Sequence, residues 1–408
     1  MMSFMQFAVW GAYLTCMGIY LSKIGMGNHI GSFFAMQGIV SLFMPALMGV
    51  IADRWIPAQR LLGYCHLMAG TFMILAGWYG LQQGTEAEFV SLFSLYSVSV
   101  AFYMPTIALS NAVAFNALTK AGMDTVKDFP PIRVFGTIGF IVTMWVVDIL
   151  DYEQNHHQFL MSGALSIILF LYTFTLPECP VNKNGEKKSV VDIFGLQALS
   201  LFKQKKMAIF FIFSILLGVC LQITNGFATP FIDHFSTIPE YADSFGVKYP
   251  VVLYSVSQIS ETCCILMIPF FLKRYGIKNV MLISMFAWFL RFFLLGAGNP
   301  GDKVWMFILS MVVYGVAFDF FHISGSLFVD KVTDASLRSR AQGVFMLMTN
   351  GIGATVGSFA AQAIVTAHTA ADGSIDWKSC WALFALYAVV VGIVFNVVFR
   401  PKKEEVRV

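Results

Sequence analysis

Four charged side chains lie inside long apolar segments of the chain, where a charge is costly. They are Arg133, Glu261, Arg291 and Asp319. A charge near the bilayer centre costs about 2.5 to 3.5 kcal/mol on insertion scales, so the four together would cost on the order of 10 kcal/mol. Such a cost indicates side chains that face a polar cavity or one another. Arg291, near the outer end of its segment, is instead expected to be a structural or snorkelling residue.

Glu261 lies in the middle of its segment, in the sequence Gln258-Ile-Ser-Glu261. Residues three apart in a helix share a face, so Gln258 and Glu261 project together. The pair predicts a hydrogen-bonding and protonatable site in a central cavity, because membrane transporters bind their cargo near the midplane. The alternative is a buried ion pair with a structural role.

Asp319 follows two aromatic residues that share one helical face. Tyr314, Phe318 and His322 recur at intervals of four residues, so they form a single stripe beside the carboxyl group. A carboxyl group that moves between apolar and cationic surroundings takes up and releases a proton, and the pattern therefore predicts a proton switch. The alternative is an aspartate that locks two helices together by hydrogen bonding.

Arg133 begins a second stripe, which Thr137 and Phe140 continue at helical spacing. Pro130 and Pro131 precede it, and prolines suit the first turn of a helix, where no backbone donor is lost. The stripe runs from a cation to an aromatic ring and predicts a binding face. An arginine this close to a helix end could equally snorkel to lipid headgroups, and the pattern alone does not decide between the two.

Two amides, Gln222 and Asn225, lie three residues apart in an otherwise apolar run. Amides both donate and accept hydrogen bonds, so they match the polar edges of a nucleobase or a sugar. They also hold transmembrane helices together, and the residues alone slightly favour this second role.

Several other site classes are excluded by the sequence. The glycines around Gly353 and Gly357 follow no strand, so they indicate a close helix contact rather than a dinucleotide loop. No P-loop is present, no zinc-binding pair of histidines, and no nucleophile with its base. The seven cysteines have no metal-ligand spacing and are interpreted as small apolar fillers. We therefore predict no enzyme activity, no metal, no organic cofactor and no nucleic-acid partner.

Composition requires that much of the chain faces lipid. Hydrophobic residues make up 58% of the 408 positions and charged residues only 12%, against about a quarter charged in a typical soluble domain. Residues 1–22 lack a basic leading segment and a cleavage site, so they are interpreted as a first spanning helix rather than a signal peptide.

A spanning helix needs about 20 mostly apolar residues, and twelve such runs can be placed. The predicted runs are approximately 3–22, 31–52, 61–81, 88–115, 129–150, 158–176, 207–230, 250–272, 277–297, 303–325, 338–366 and 378–400.

The basic residues between these runs predict the orientation of the chain. Twenty Lys and Arg lie on one side, including the tail from Arg400, and only Lys23, Lys248, Lys303 and Lys378 lie on the other. Basic loops stay in the cytoplasm, so both termini are predicted to be cytoplasmic.

One long polar stretch, 177–206, divides the runs into two sets of six. The predicted domains are therefore a first six-helix bundle over 1–176, a cytoplasmic linker over 177–206, and a second bundle with a short tail over 207–408. A basic turn follows the second run of each half, at Asp53-Arg54 and at Lys273-Arg274. Two six-helix halves related as repeats are typical of the major facilitator superfamily.

Four segments of the sequence match the pattern of a known protein family. The chain resembles the nucleoside:proton symporter family of the major facilitator superfamily from residue 1 to about 400. The segments that carry it are Asp128-Phe-Pro-Pro-Ile-Arg133-Val-Phe-Gly-Thr137-Ile-Gly-Phe140, Leu221-Gln-Ile-Thr-Asn225, Ser257-Gln-Ile-Ser-Glu261 and Tyr314-Gly-Val-Ala-Phe318-Asp319.

The resemblance implies proton-coupled uptake of purine and pyrimidine nucleosides through a bacterial inner membrane by a monomer. It also implies a role for each matching residue. Base and ribose would be hydrogen-bonded by Arg133, Thr137, Gln222, Asn225, Gln258 and Glu261. The planar base would pack on Phe140, Tyr314 and Phe318, and Asp319 or Glu261 would carry the proton.

Four alternatives remain at this point. The cargo could be xanthosine, a sugar or an oligopeptide carried by the same fold. Transport could be facilitated diffusion without a proton. A membrane receptor that binds nucleosides without transport is disfavoured because no soluble signalling domain is present, and a channel because no ring of like charges is seen.

Overall fold

The computed structural model describes residues 1–181, 196–334 and 337–401. These residues are helical apart from turns, loops and one isolated β-bridge. They form two compact units, Met1–Phe194 and Gly195–Val408. Part of the predicted linker, with Lys183, Lys187 and Lys188, and the tail from Lys402 onward lie outside the described residues.

Eight α-helices build the first unit. They are α1 (Met2–Gly11), α2 (Met17–Lys23), α3 (Ile30–Ser41), α4 (Met44–Arg54), α5 (Ala58–Gln83), α6 (Phe89–Lys120), α7 (Thr125–Ile149) and α8 (His157–Thr173), counted over residues 1–181.

Seven further α-helices belong to the described part of the second unit. They are α9 (Lys205–His234), α10 (Phe245–Lys248), α11 (Pro250–Ala297), α12 (Val304–Val332), α13 (Arg338–Met346), α14 (Ala354–Ala367) and α15 (Trp377–Val398). A π-helical turn, Leu347–Gly353, joins α13 to α14.

The prediction of an all-helical membrane protein is confirmed. Nine helical segments of the described chain are long and apolar enough to cross a membrane, and α8 is a shorter apolar helix. Helix α11 contains two predicted runs in its 48 residues, and Gly276 separates them with a φ of 74° that favours glycine.

Three details differ from the predicted runs. The run 3–22 is broken by turns between α1 and α2. The run 31–52 is divided into α3 and α4 in the same way. Helix α7 begins at Thr125, so Pro130 and Pro131 lie inside it rather than in its first turn. The placement of these prolines at the helix start was therefore wrong, because Thr125–Phe129 already form a turn before them.

A fully buried polar network joins four helices of the first unit. The two ring nitrogens of His66 lie 2.8 Å from Gln6 Oε1 and 2.8 Å from Ser166 Oγ. Gln6 Nε2 donates to Thr106 Oγ1 at 2.7 Å. Each of these side chains is partnered, which is what a polar group buried among apolar helices requires. The network fixes α1, α5, α6 and α8 to one another.

The cysteines largely follow the prediction. All seven are free thiols, and six are buried as expected for small apolar fillers. Cys263 is exposed while Cys264 is buried, so the two do point to different faces. The filler role is wrong for Cys263, because its side chain is exposed.

Glycine permits the close crossing of α1 and α7, and this contact gives a stability prediction. A Cβ at Gly139 would collide with the backbone of Phe4, whereas a Cβ at Gly49 would meet nothing within 4 Å. Gly139→Ala should lower stability by about 1 to 3 kcal/mol, the usual cost of overpacking. Gly49→Ala should be neutral or stabilising, since alanine favours a helix. Thermal unfolding in detergent checks both, and equal Tm values for the two variants would contradict the close contact.

Candidate functional site

Helices α11 and α12 lie very close together where two predicted carboxyl groups meet. A Cβ at Gly315 would lie 2.7 Å from the carbonyl carbon and oxygen of Ser260. The Ser260 hydroxyl also donates to the carbonyl oxygen of Val312 across this contact. Glu261 follows Ser260, and Asp319 lies one turn after Gly315. The two carboxyl groups are close enough to interact electrostatically.

The Asp319 carboxyl group is incompletely satisfied. Its side chain is only 5% exposed, and Oδ2 has no hydrogen-bond partner among the described residues. An unsatisfied buried polar group costs about 1 to 3 kcal/mol, so it is seldom retained without a use. This oxygen does not lock neighbouring helices together, which was the structural alternative. A proton on the carboxyl group would lower the cost of burying it.

The aromatic stripe predicted on α12 is present. The rings of Tyr314 and Phe318 are stacked, with centroids 6.0 Å apart and planes 5° from parallel. Phe318 and His322 continue the stack at 5.4 Å. Phe318 and His322 line a small cavity together with Trp288 and Asn350. Two rings of the stripe therefore face this cavity, and Asp319 directly follows one of them, Phe318, along α12.

The predicted amides lie on α9 and α11 with hydrogen-bonding capacity to spare. The Tyr254 hydroxyl donates to Asn225 Oδ1 at 3.5 Å, the outer limit of such a bond. Gln222 and Gln258 are half-buried, and neither side-chain amide makes a hydrogen bond to another described residue. Asn225 is thus bonded across the contact between α9 and α11, whereas the unbonded amides of Gln222 and Gln258 favour a role in binding.

The first unit presents the second predicted stripe along α7. The Arg133 guanidinium lies 4.0 Å from the centroid of the Phe7 ring, a cation–π contact with α1. Phe140 is buried and meets Trp10 edge to face at 6.2 Å. Thr137 is half-buried between them along the helix. Arg133 therefore packs on a neighbouring helix within its own unit.

Sequence reasoning missed a polar chain that extends this stripe. Trp10 Nε1 donates to Gln37 Oε1 at 3.3 Å, and Gln37 Nε2 donates to the Tyr96 hydroxyl at 3.0 Å. Gln37 was visible as a lone amide in the run 31–52. Its partners are 27 and 59 residues away, so no local spacing connects them.

The structure decides between the structural and the snorkelling alternatives for Arg291. It is fully buried at 0% exposure and donates hydrogen bonds to side chains and backbone of three other helical stretches. The snorkelling alternative is wrong, because the guanidinium points into the second unit and finds its partners there. The sequence signal was present, since Arg291 is a cation within an apolar run.

Comparisons with known proteins agree over nearly the full length. A family model described as Nucleoside H+ symporter matches residues 1–404. The nucleoside permease NupG of Escherichia coli (strain K12) is 45% identical over 404 residues, which is 98% of this chain and 95% of that protein. The xanthosine permease of the same organism is also 45% identical, over 98% of this chain and 94% of that protein.

A solved structure extends the likeness to three dimensions. The crystal structure of the nucleoside transporter NupG superposes with a TM-score of 0.90 at 45% sequence identity, and the match covers 98% of each chain. These relatives are transporters rather than enzymes. The chain is therefore a multi-pass membrane protein that belongs to the nucleoside H+ symporter family.

Proposed function

We propose that the protein takes up nucleosides together with protons across the bacterial inner membrane. The observation that carries this proposal is the buried Asp319 oxygen without a hydrogen-bond partner among the described residues, beside a stacked aromatic surface. A proton carrier and a planar binding surface are what nucleoside symport needs within one site. Family membership supports both the cargo and the coupling ion.

The proposed binding roles divide by chemistry. Tyr314, Phe318 and Phe140 would pack against the base. Hydrogen bonds to base and ribose would come from Arg133, Thr137, Gln222, Asn225, Gln258 and Glu261. The half-buried amides support this division, because they retain donors and acceptors that α9 and α11 do not use.

The proposed topology has twelve transmembrane helices in two sets of six, with both termini in the cytoplasm. It is supported by Gly276, which separates two spans within α11, and by the short helices α1 and α2, which together cover one further run. The protein would act as a monomer. The asymmetry of basic residues supports the orientation.

Transport would proceed by alternating access. A proton on Asp319 or Glu261 changes the charge of this pair, and binding that differs between outward- and inward-facing states shifts the balance between them. The proton belongs to the pair rather than to one residue, because two interacting carboxyl groups titrate together.

Uptake of labelled uridine into proteoliposomes tests this function. Wild-type protein should accumulate uridine against its gradient when an inward proton gradient is imposed, and should only equilibrate uridine without one. Asp319→Asn should still bind uridine but lose accumulation, because the amide cannot carry the proton. Glu261→Gln, measured in parallel, should weaken uridine binding as well. Proton-independent accumulation by wild type would contradict symport.

The stacking surface can be tested at Phe318. Phe318→Ala should raise the KM for uridine uptake by about 5- to 150-fold, because base stacking on an aromatic ring is worth about 1 to 3 kcal/mol. Phe318→Tyr keeps the ring and should change KM little. Equal KM values for the alanine and tyrosine variants would show that the base does not stack on this residue.

Xanthosine is a second candidate cargo, because the xanthosine permease is 45% identical to this chain. Competition by unlabelled nucleosides distinguishes a broad range of nucleosides from xanthosine alone. Unlabelled adenosine and cytidine should inhibit uridine uptake if the range is broad. Inhibition by xanthosine alone would move the assignment to that nucleoside.

A further inference from the structure

We propose that Arg291 is a positioning residue that holds the nucleoside-binding side chains of α9, α11 and α12 in register from behind the site. The proposal rests on the proposed function, since it concerns the residues that would contact the nucleoside. Arg291 itself is buried at 0% exposure and is not a candidate ligand.

Arg291 donates hydrogen bonds to the residues that directly precede two predicted binding residues. Its Nε donates to Thr224 Oγ1 at 3.2 Å, and its Nη1 approaches Ser257 Oγ at 3.4 Å. Thr224 directly precedes Asn225, and Ser257 directly precedes Gln258. One guanidinium therefore contacts the residue next to each predicted amide on two different helices.

Arg291 also contacts a third helix, α12, through a backbone carbonyl group and an aromatic ring. Arg291 Nη1 donates to the Ser310 carbonyl oxygen at 2.7 Å, and the Ser310 hydroxyl donates back to the Arg291 carbonyl oxygen at 3.0 Å. The guanidinium carbon lies 4.7 Å from the centroid of Tyr314, the first ring of the aromatic stripe. The same group lies 5.7 Å from the ring of Tyr254, whose hydroxyl bonds to Asn225.

The geometry requires a planar cation with several donors. A guanidinium presents five N–H donors in a fixed fork and stacks on aromatic faces, whereas lysine is a point charge on a flexible chain. Arg291 Nη2 has no hydrogen-bond partner among the described residues. The donors Nε and Nη1 reach three helical stretches at once, an arrangement that a single ammonium group does not reproduce.

The experiment compares uridine uptake kinetics of the full-length protein and Arg291→Lys in proteoliposomes, corrected for the amount of folded protein. Arg291→Lys should raise KM about tenfold with Vmax within about twofold, because the charge stays but the fork is lost. Thr224→Val removes one of the bonds and should raise KM by a smaller factor, about threefold.

Tyr387→Phe is the matched control. It removes a hydrogen bond from the Tyr387 hydroxyl to the Leu216 carbonyl oxygen between α15 and α9, in the same unit. It should lower Tm without raising KM. An unchanged KM in Arg291→Lys, or a KM that rises equally in Tyr387→Phe, would overturn the positioning role. Absence of uridine uptake by the parental protein would instead overturn the proposed function, and this inference with it.

Discussion

The structure depends on the cost of an unpartnered polar group inside an apolar helical bundle. Water cannot compensate for a missing hydrogen bond there, so a buried polar group without a partner destabilises the fold. The described residues contain both partnered and unpartnered groups. The network around His66 satisfies its members and joins four helices of the first unit. Asp319 Oδ2 finds no partner among the described residues, and it lies beside the stacked rings of α12.

Close helix contact is the second requirement, and glycine supplies it at the points that position the site. Gly315 lets α12 approach Ser260, which places Glu261 and Asp319 near each other. Gly218 and Gly353 likewise allow α9 to approach the π-helical turn. The prediction of a close helix contact at Gly353 and Gly357 is confirmed by these approaches, since a Cβ at Gly357 would meet Val219.

Helical periodicity alone predicted the arrangement of site residues that lie on one helix. The stack of Tyr314, Phe318 and His322 follows from an interval of four residues, and the structure contains it. Most spanning helices could be predicted from the apolar runs, because each run is continuous along the chain. The pairing of Gln258 with Glu261 as binders remains a prediction.

Helical periodicity did not predict hydrogen bonds between residues that lie on different helices. The sequence left Arg291 as either a structural or a snorkelling residue, because its partners, such as Thr224, are 67 residues away. Gln37 was passed over although it links Trp10 to Tyr96. The start of α7 was also misplaced, because Thr125–Phe129 form a helical turn before the prolines even though an interior proline removes a helix hydrogen bond. In each case the local sequence does not reveal which other helical segment packs against the residue.

The most direct test of proton-coupled nucleoside transport is the proton movement itself. A pH indicator is sealed inside proteoliposomes at equal internal and external pH, and uridine is added outside. Symport predicts that inward uridine flow acidifies the interior, and that a protonophore abolishes the change. Uridine entry with no change of internal pH would contradict the account.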